Sequence, residues 1–247
     1  MTTEENGIFA NAKEGALYID MSSIRPDVSA RVAELGRQRG LRVLDAPVSG
    51  GEAGAVEASL SIMVGGEAAD FETAKPVLEA VGKTIVHVGP AGAGQTVKAA
   101  NQLIVAGNIE LVAEAIVFLE AYGVDMEAAL EVLGGGLAGS TVLARKGTSM
   151  LAGEFDPGFR LQLHHKDLGI VQSAAREAGV AIPLGAVVSQ LVGAMVARAT
   201  AAWTTPACSS WFESCRAAPA DSHDSARPTY RHGTPSAGLT GGSKWLE

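Results

Sequence analysis

Tryptophan and cysteine are missing from the first 198 of the 247 residues of this chain. All residues of both types lie in the remaining segment, at Trp203, Cys208, Trp211, Cys215 and Trp245. The two cysteines form no CxxC pair and have no histidines at ligand spacing, so we predict no metal site. Residues 199–247 are rich in Pro, Ser, Thr and Gly without a helical or strand period, so we expect this segment to be disordered.

Basic residues are also scarce, because 19 Lys and Arg face 27 Asp and Glu and give a formal net charge of -8. Nucleic-acid binding relies on clustered Lys and Arg that contact phosphates, so we expect no nucleic-acid partner. Apolar runs of membrane-spanning length without a polar interruption are lacking, so we expect no membrane partner either. The first 15 residues lack the basic and then apolar pattern of a secretory signal, and we expect a cytoplasmic protein.

Apolar residues make up 47% of the chain, which is enough to build a sizeable core. Up to about residue 93, four short segments rich in apolar and β-forming residues alternate with amphipathic segments. These predicted strands cover residues 16–23, 41–51, 59–66 and 84–89. Such alternation is typical of an α/β layer with a largely parallel sheet.

Beyond residue 94 the strand patterns stop and only helical patterns follow. The predicted helices cover residues 95–123, 126–134, 140–151, 163–178 and 183–199. We therefore predict an α/β domain over residues 1–93 and an all-helical domain over residues 94–198, built on a long helix between the two. Ligands of open α/β sheets bind beyond the carboxyl ends of the strands, where the segments MSSI and PVSGG are expected to lie.

A lysine and an asparagine interrupt the start of the longest apolar helix. Lys98 and Asn101 are three residues apart, so they share one face of that helix. A lysine in a dry site has a lowered pKa and becomes usable as an acid or a base. Alternatively, Lys98 lays its stem along apolar surface and keeps its charge in water, as most lysines on such helices do.

Three further segments carry polar or glycine residues. In DAPVSGG, the residues Ser49, Gly50 and Gly51 follow a predicted strand and either form an ordinary turn or present backbone N–H groups to a carboxylate. In LHHKDL, Lys166 is either solvated charge or part of a site. The segment GGGLAGST lies between two predicted helices and follows no strand, so we do not predict a phosphate-binding loop there.

Several motifs occur together in the order and spacing of one family. They are IDMSSI, DAPVSGGEAGAVEASLSIMVGG, GAGQTVKAANQ, GGLAGSTVL and FDPGFRLQLHHKDL. Through them, residues 5–198 resemble the β-hydroxyacid dehydrogenases. The resemblance implies a partial Rossmann-type parallel sheet followed by a helical domain. It also implies NAD or NADP as cofactor, no metal, and a homo-oligomer formed through the helical domain.

The resemblance assigns a role to each polar position. Lys98 matches the catalytic lysine of the family, and Asn101 matches the asparagine beside it that orients the substrate. The turn Ser49–Gly51 matches the loop that binds the substrate carboxylate. Ser23 matches a position that contacts the cofactor near its nicotinamide, and Lys166 matches a lysine that reaches the cofactor from the helical domain.

The reaction that the resemblance implies is hydride transfer between a nicotinamide and a small hydroxyacid or semialdehyde. The GGLAGSTVL motif, the glutamine after Asn101 and the PGFR and KDL segments favour reduction of tartronate semialdehyde to glycerate. The alternatives are oxidation of 3-hydroxyisobutyrate and a chain that folds and dimerises without catalysis. Dinucleotide binding would separate the catalytic from the non-catalytic alternative.

Both ends of the sequence depart from the family pattern. Family members begin with a strand, a GxGxxG turn and a helix, so we expect about 70 residues of the first βαβ half to be missing here. That half carries the pyrophosphate site and the selector between NAD and NADP, so we expect weak or no NADH binding. Read one base out of frame, residues 199–215 give a segment with Asp-His-Ser as in the family's C-terminus, so we expect a frameshift near Ala199.

Overall fold

A computed structural model of the chain describes residues 2–154 and 159–198, all within one compact unit. The expectations for residues 199–247 lie outside the described residues. The strands are β1 (Leu17–Asp20), β2 (Arg42–Asp45), β3 (Val48–Ser49), β4 (Leu60–Gly65) and β5 (Gly82–Gly89). The helices are α1 (Ile8–Asn11), α2 (Pro26–Arg37), α3 (Gly51–Val56), α4 (Ala68–Leu78), α5 (Ala93–Ala121), α6 (Met126–Gly135), α7 (Thr141–Leu151), α8 (Leu161–Glu177) and α9 (Pro183–Arg198).

The predicted fold class, an α/β part followed by an all-helical part, is confirmed, and the sheet is mixed rather than uniformly parallel. Strands β1 and β2 run parallel, as do β4 and β5. Strand β4 is antiparallel to both β2 and β3, and it meets β2 at a single pair, Asp45 with Gly65. The reversal follows from the short β3–β4 connection, because α3 is only six residues long and returns the chain alongside β3.

The long helix α5 is central to the helical part. Its buried residues recur every three or four positions and form one stripe, which includes Ala106, Ile109, Ala113 and Ile116. This stripe packs against buried residues of the later helices, namely Met150, Leu161, Leu168, Val188, Val192 and Met195. Separate apolar clusters fill the α/β part, one of them between β2, β4 and α4. The domain boundary near residue 93 stays a prediction.

Helix α5 is also long enough and apolar enough to cross a membrane, with a mean hydropathy of 1.7 in its most apolar window. The sequence led us to expect no apolar helix of membrane-spanning length. By length and composition, that expectation is wrong for α5. One such helix is weak evidence for a span, because the core helix of a soluble protein passes the same criterion. Its packing against α7, α8 and α9 is that of a central helix in a bundle.

The buried carboxylate of Asp45 joins the sheet to the first turn of α5. Its Oδ1 accepts from the backbone N–H of Gly92 at 2.7 Å, and its Oδ2 accepts from the N–H of Gln95 at 2.9 Å. A helix N-terminus favours a negative charge because its first N–H groups lack partners within the helix. Gly65 makes room for this carboxylate, since a Cβ there would lie 2.5 Å from Asp45 Oδ1.

Replacing Asp45 with alanine should lower the free energy of unfolding by about 3 kcal/mol or more. The change leaves two buried N–H groups without their charged acceptor, and hydrogen bonds to charged groups contribute about 1.5–3 kcal/mol each. Urea unfolding measures the difference. The matched control, Asp27→Ala, removes an exposed carboxylate that pairs with Arg25 and should barely move the unfolding midpoint. A loss below about 1 kcal/mol for Asp45→Ala would contradict this anchoring role.

Candidate active site

The segment that follows β1 is held in place by one glutamine of α5. Gln95 is 1% exposed, and its Oε1 accepts from the backbone N–H of Ile24 at 3.1 Å while its Nε2 donates to the carbonyl of Ser22 at 2.7 Å. Asp20, at the end of β1, accepts from the N–H of Ser22 at 2.9 Å. These bonds all use backbone atoms of the segment, and together they fix Ser23 at the carboxyl end of a parallel strand.

Lys98 and Asn101 meet at one acceptor, the side chain of Gln102. The Nζ of Lys98 donates to Gln102 Oε1 at 3.0 Å, and the Nδ2 of Asn101 donates to the same oxygen at 2.8 Å. Lys98 and Asn101 are both partly buried, whereas Gln102 is buried. The structure therefore brings together the predicted catalytic lysine and its neighbouring asparagine through Gln102, for which the sequence predicted no contact.

Helix α8 adds two charged residues to this cluster. The Nε2 of Gln102 donates to Asp167 Oδ2 at 2.6 Å, and the other carboxylate oxygen, Oδ1, lies 3.0 Å from the Nζ of Lys166. The same Lys166 Nζ donates to the carbonyl of Ser23 at 2.9 Å. A continuous polar chain thus runs from the segment after β1, through α8, to Lys98 on α5.

Burial has the largest effect on the pKa of Lys98. Removal from water lowers the pKa of its ammonium, the negative charge of Asp167 raises it, and the positive charge of Lys166 lowers it further. The pKa of His164, one turn before Asp167, is also lowered by burial. His164 lies fully buried on α8, with its Nε2 at 3.4 Å from the carbonyl of Gln102. A lysine with a lowered pKa is a better proton donor near neutral pH than an exposed one.

The turn Ser49–Gly51 links β3 to α3, and β3 packs against α5. Gly50 has a φ of +143° and Gly51 a φ of +67°, which L side chains rarely adopt, so this turn requires its glycines. We also expect the turn Ser49–Gly51 to lie near the ammonium of Lys98, in one cleft with Asn101. The hydrogen bonds of Lys98 and Asn101 run to Gln102, and this expectation stays a prediction. Within residues 2–154 and 159–198, no group of three His, Cys, Asp or Glu side chains is placed to hold a metal ion.

Sequence reasoning assigned no contact to four residues in and around the site, namely Asp45, Gln95, Gln102 and Asp167. Each lies within a motif quoted above, directly beside or close to a predicted site residue. Their partners are distant along the sequence, however. Asp45 contacts residues 47 and 50 positions away, and Gln102 contacts Asp167 at a separation of 65. The available signal was a polar residue at a strand end or on an apolar helix, which predicts a partner without naming it.

Comparison with known proteins agrees with this fold. Residues 1–89 match a family model described as the NAD binding domain of 6-phosphogluconate dehydrogenase. Residues 92–211 match a model described as the NAD-binding domain of NADP-dependent 3-hydroxyisobutyrate dehydrogenase. The 2-hydroxy-3-oxopropionate reductase of Escherichia coli K12 is 45% identical over 76% of this chain and 64% of its own length. An oxidoreductase of Shewanella frigidimarina is 35% identical over 86% of this chain and 73% of its own.

Solved structures give the same result. The 3-hydroxyisobutyrate dehydrogenase of Mycobacterium tuberculosis with L-serine has a TM-score of 0.75 and 32% identity, covering 85% of this chain and 73% of that one. The Salmonella typhimurium 3-hydroxyisobutyrate dehydrogenase has a TM-score of 0.77 at 25% identity. This chain belongs to the β-hydroxyacid dehydrogenase family. It spans about 64% of the length of the Escherichia coli relative.

Replacing Lys98 with methionine should stabilise the fold, with the largest gain near neutral pH. In the unfolded chain a lysine has a pKa of about 10.4, and burial lowers this value in the folded chain. Between the two values the unfolded state binds more protons, so the wild type regains stability as the pH rises and the advantage of Lys98→Met shrinks. Urea unfolding at several pH values measures this trend, with Lys83→Met at an exposed site as control. An advantage independent of pH would contradict the burial effect.

Proposed function

We propose that this chain carries the catalytic residues of an NAD(P)-dependent reductase that converts tartronate semialdehyde to glycerate. The observation that carries the proposal is the partly buried Lys98 ammonium, which has a lowered pKa and is held beside Asn101 through Gln102. The 45% identity to the Escherichia coli 2-hydroxy-3-oxopropionate reductase supports this substrate. The second candidate is oxidation of 3-hydroxyisobutyrate, which the match of residues 92–211 and the Mycobacterium tuberculosis structure favour.

The residues present fit the nicotinamide end of a dinucleotide. Ser22 and Ser23 lie at the carboxyl end of β1, where α/β sheets bind ligands, and Lys166 places a positive charge beside them. The first turn of α5 does not fit a phosphate, because the N–H groups of Gly92 and Gln95 already bind Asp45. In the described residues the GxGxxG pattern occurs at Gly134–Gly139, where α6 ends and the connection to α7 begins, and not after a strand. We therefore assign Ser23 and Lys166 to the nicotinamide half of the cofactor.

When bound, the nicotinamide supplies or accepts the hydride, and the residues of this chain manage the proton and the substrate. The Nζ of Lys98 gives its proton to the alkoxide oxygen that develops as the aldehyde is reduced, and its charge stabilises that oxygen. The backbone of Ser49–Gly51 holds the substrate carboxylate, and the side chain of Asn101 orients the reacting carbon. In the oxidative direction, the neutral amine of Lys98 takes the same proton back.

Replacing Lys98 with alanine should lower the rate of NADH oxidation by about 100- to 10,000-fold, the usual contribution of a positioned general acid. Lys98→Arg should not restore the rate, because a guanidinium keeps its charge and does not release a proton near neutral pH. The assay uses this chain joined to the part of the Escherichia coli relative that the alignment leaves uncovered, because the alignment covers 64% of that protein. Tartronate semialdehyde and methylmalonate semialdehyde, each with NADH and NADPH, separate the two candidate functions by kcat/KM.

Lys83→Ala, at an exposed lysine of β5, is the matched control and should leave the rate unchanged. If Lys98→Ala kept more than about a tenth of the rate, Lys98 would not be the proton donor. Calorimetric titration of the 247-residue chain with NADH addresses the non-catalytic alternative. Micromolar binding would overturn the expectation of weak or no binding by this chain. A cytoplasmic location and the absence of nucleic-acid and membrane partners stay predictions.

We also propose that the protein is a homo-oligomer that assembles through its helical part. Ile104, Leu111 and Phe118 recur every seven residues along α5 and are 62%, 52% and 62% exposed. Ile104 and Leu111 line an apolar groove between α5 and α9. Leu184 on α9, which is 58% exposed, lines the same groove. Seven-residue spacing places side chains on one helix face, and exposed apolar patches of this kind mark protein–protein contacts.

The double substitution Ile104→Asp and Leu111→Asp should convert the oligomer to a single chain, because it buries two charges in the proposed contact. Light scattering coupled to size-exclusion chromatography measures the mass. The matched control is Val56→Asp, which places the same charge at an 81% exposed valine of α3 in the α/β part. A wild-type protein that elutes as a single chain, or a double variant that stays oligomeric, would contradict assembly through this face.

A further inference from the structure

The side-chain amide of Gln102 has both of its ends occupied, and its orientation is fixed by the chemistry of its partners. Lys98 can only donate a hydrogen bond, so it must contact the amide oxygen. The ionised carboxylate of Asp167 can only accept, so it must contact the amide nitrogen. Asn101 donates to the amide oxygen as well. Gln102 is 6% exposed, and turning its amide over would break all three bonds.

This arrangement places a neutral group between a buried carboxylate and a partly buried ammonium. Asp167 is 4% exposed. If it paired directly with Lys98, one N–H of the ammonium would be held in a strong hydrogen bond to a carboxylate oxygen. With the amide between them, the ammonium spends one N–H on a neutral acceptor and keeps two others for further partners. Gln102 thus separates two charges that burial would otherwise drive together.

We propose that Gln102 is a positioning residue for Lys98. Its side-chain amide orients the ammonium on α5, and through this amide the charge of Asp167 on α8 affects how tightly the lysine holds its proton. The inference rests on the proposed role of Lys98 in the reaction. Its test does not use turnover, so the two can fail separately.

The charged and titratable groups that face this cluster from α8 are Asp167, Lys166 and His164. Asp167 raises the pKa of Lys98, whereas Lys166 lowers it. The pKa of His164 is itself lowered by burial, so its ring adds no positive charge at neutral pH. The hydrogen bond of Lys98 to Gln102 favours the charged form of the lysine, and loss of that bond should therefore lower its pKa.

The test measures how the acylation of Lys98 by trace acetic anhydride depends on pH, because only the neutral amine reacts. Mass spectrometry of the Lys98 peptide gives the rate relative to exposed Lys83 in the same sample. Gln102→Met, which keeps the length and removes the amide, should lower the pH midpoint and raise the relative rate at pH 8 about threefold or more. Gln102→Glu puts a carboxyl group against both the ammonium and Asp167, and the added negative charge shared by the two carboxyl groups should raise the midpoint and lower that rate.

A double-substitution cycle separates transmission through Gln102 from plain attraction between charges. Asp167→Asn removes the charge and keeps an acceptor for the amide, so it should lower the midpoint of Lys98 in the wild-type background. In the Gln102→Met background the same change should have a clearly smaller effect, because the bonded path is broken. Far-UV circular dichroism verifies the fold of each variant, and Gln102→Glu tests the proposal with an opposite sign if Gln102→Met unfolds.

Midpoints that move in opposite directions for Gln102→Met and Gln102→Glu, with a non-additive cycle, would support the proposal. A midpoint unchanged in both variants, or an Asp167→Asn effect of equal size in the two backgrounds, would overturn it. A further outcome is that the substitutions of Gln102 shift the titration midpoint of Lys98 while Lys98→Ala keeps its activity in the extended chain. In that case the positioning role of Gln102 is supported and the proton-donor role of Lys98 is contradicted. The reverse pattern retains the donor role and removes Gln102 from it.

Discussion

The carboxylate of Asp45 fixes where the site can form, because it lies where the sheet ends and the long helix begins. Asp45 is the last residue of β2 and pairs with Gly65 of β4. Gly65 and Gly94 lack side chains and so leave space for its carboxylate. Two N–H groups of the first turn of α5 then bind it. Lys98 follows Gly92 by six residues, which is about 9 Å along the helix axis. The position of the ammonium relative to the sheet edge is therefore set by this one buried charge.

A second constraint acts on the segment after β1, which is held from two sides. Gln95 binds it from α5, and Lys166 binds it from α8. Both residues use backbone atoms of the segment, so these contacts do not depend on the serine side chains. The ammonium of Lys166 donates to the carbonyl of Ser23 and also lies 3.0 Å from the carboxylate of Asp167.

The sequence predicted the helices well and the sheet less well, for separate physical reasons. Helix α5 was expected over 95–123 and is found at Ala93–Ala121, because an apolar run of this length is too long for a strand and favours a helix. The antiparallel direction of β4 was missed because it depends on α3, a six-residue helix hidden in a glycine-rich turn. Lys98 and Asn101 were recognisable as polar residues on an apolar face. Gln102 and Asp167 gain their importance from each other, across a separation of 65 residues that no local pattern encodes.

The proton affinity of Lys98 depends on burial and on two adjacent charged residues, Lys166 and Asp167. The two side chains come from one turn of α8, and their charges shift the pKa of Lys98 in opposite directions. Burial is the largest influence on the pKa of the lysine, and the two charges add smaller effects of opposite sign. Burial also lowers the pKa of His164, which favours the neutral form of its ring. The acidity of Lys98 thus depends mainly on how far water is excluded from the junction of α5 and α8.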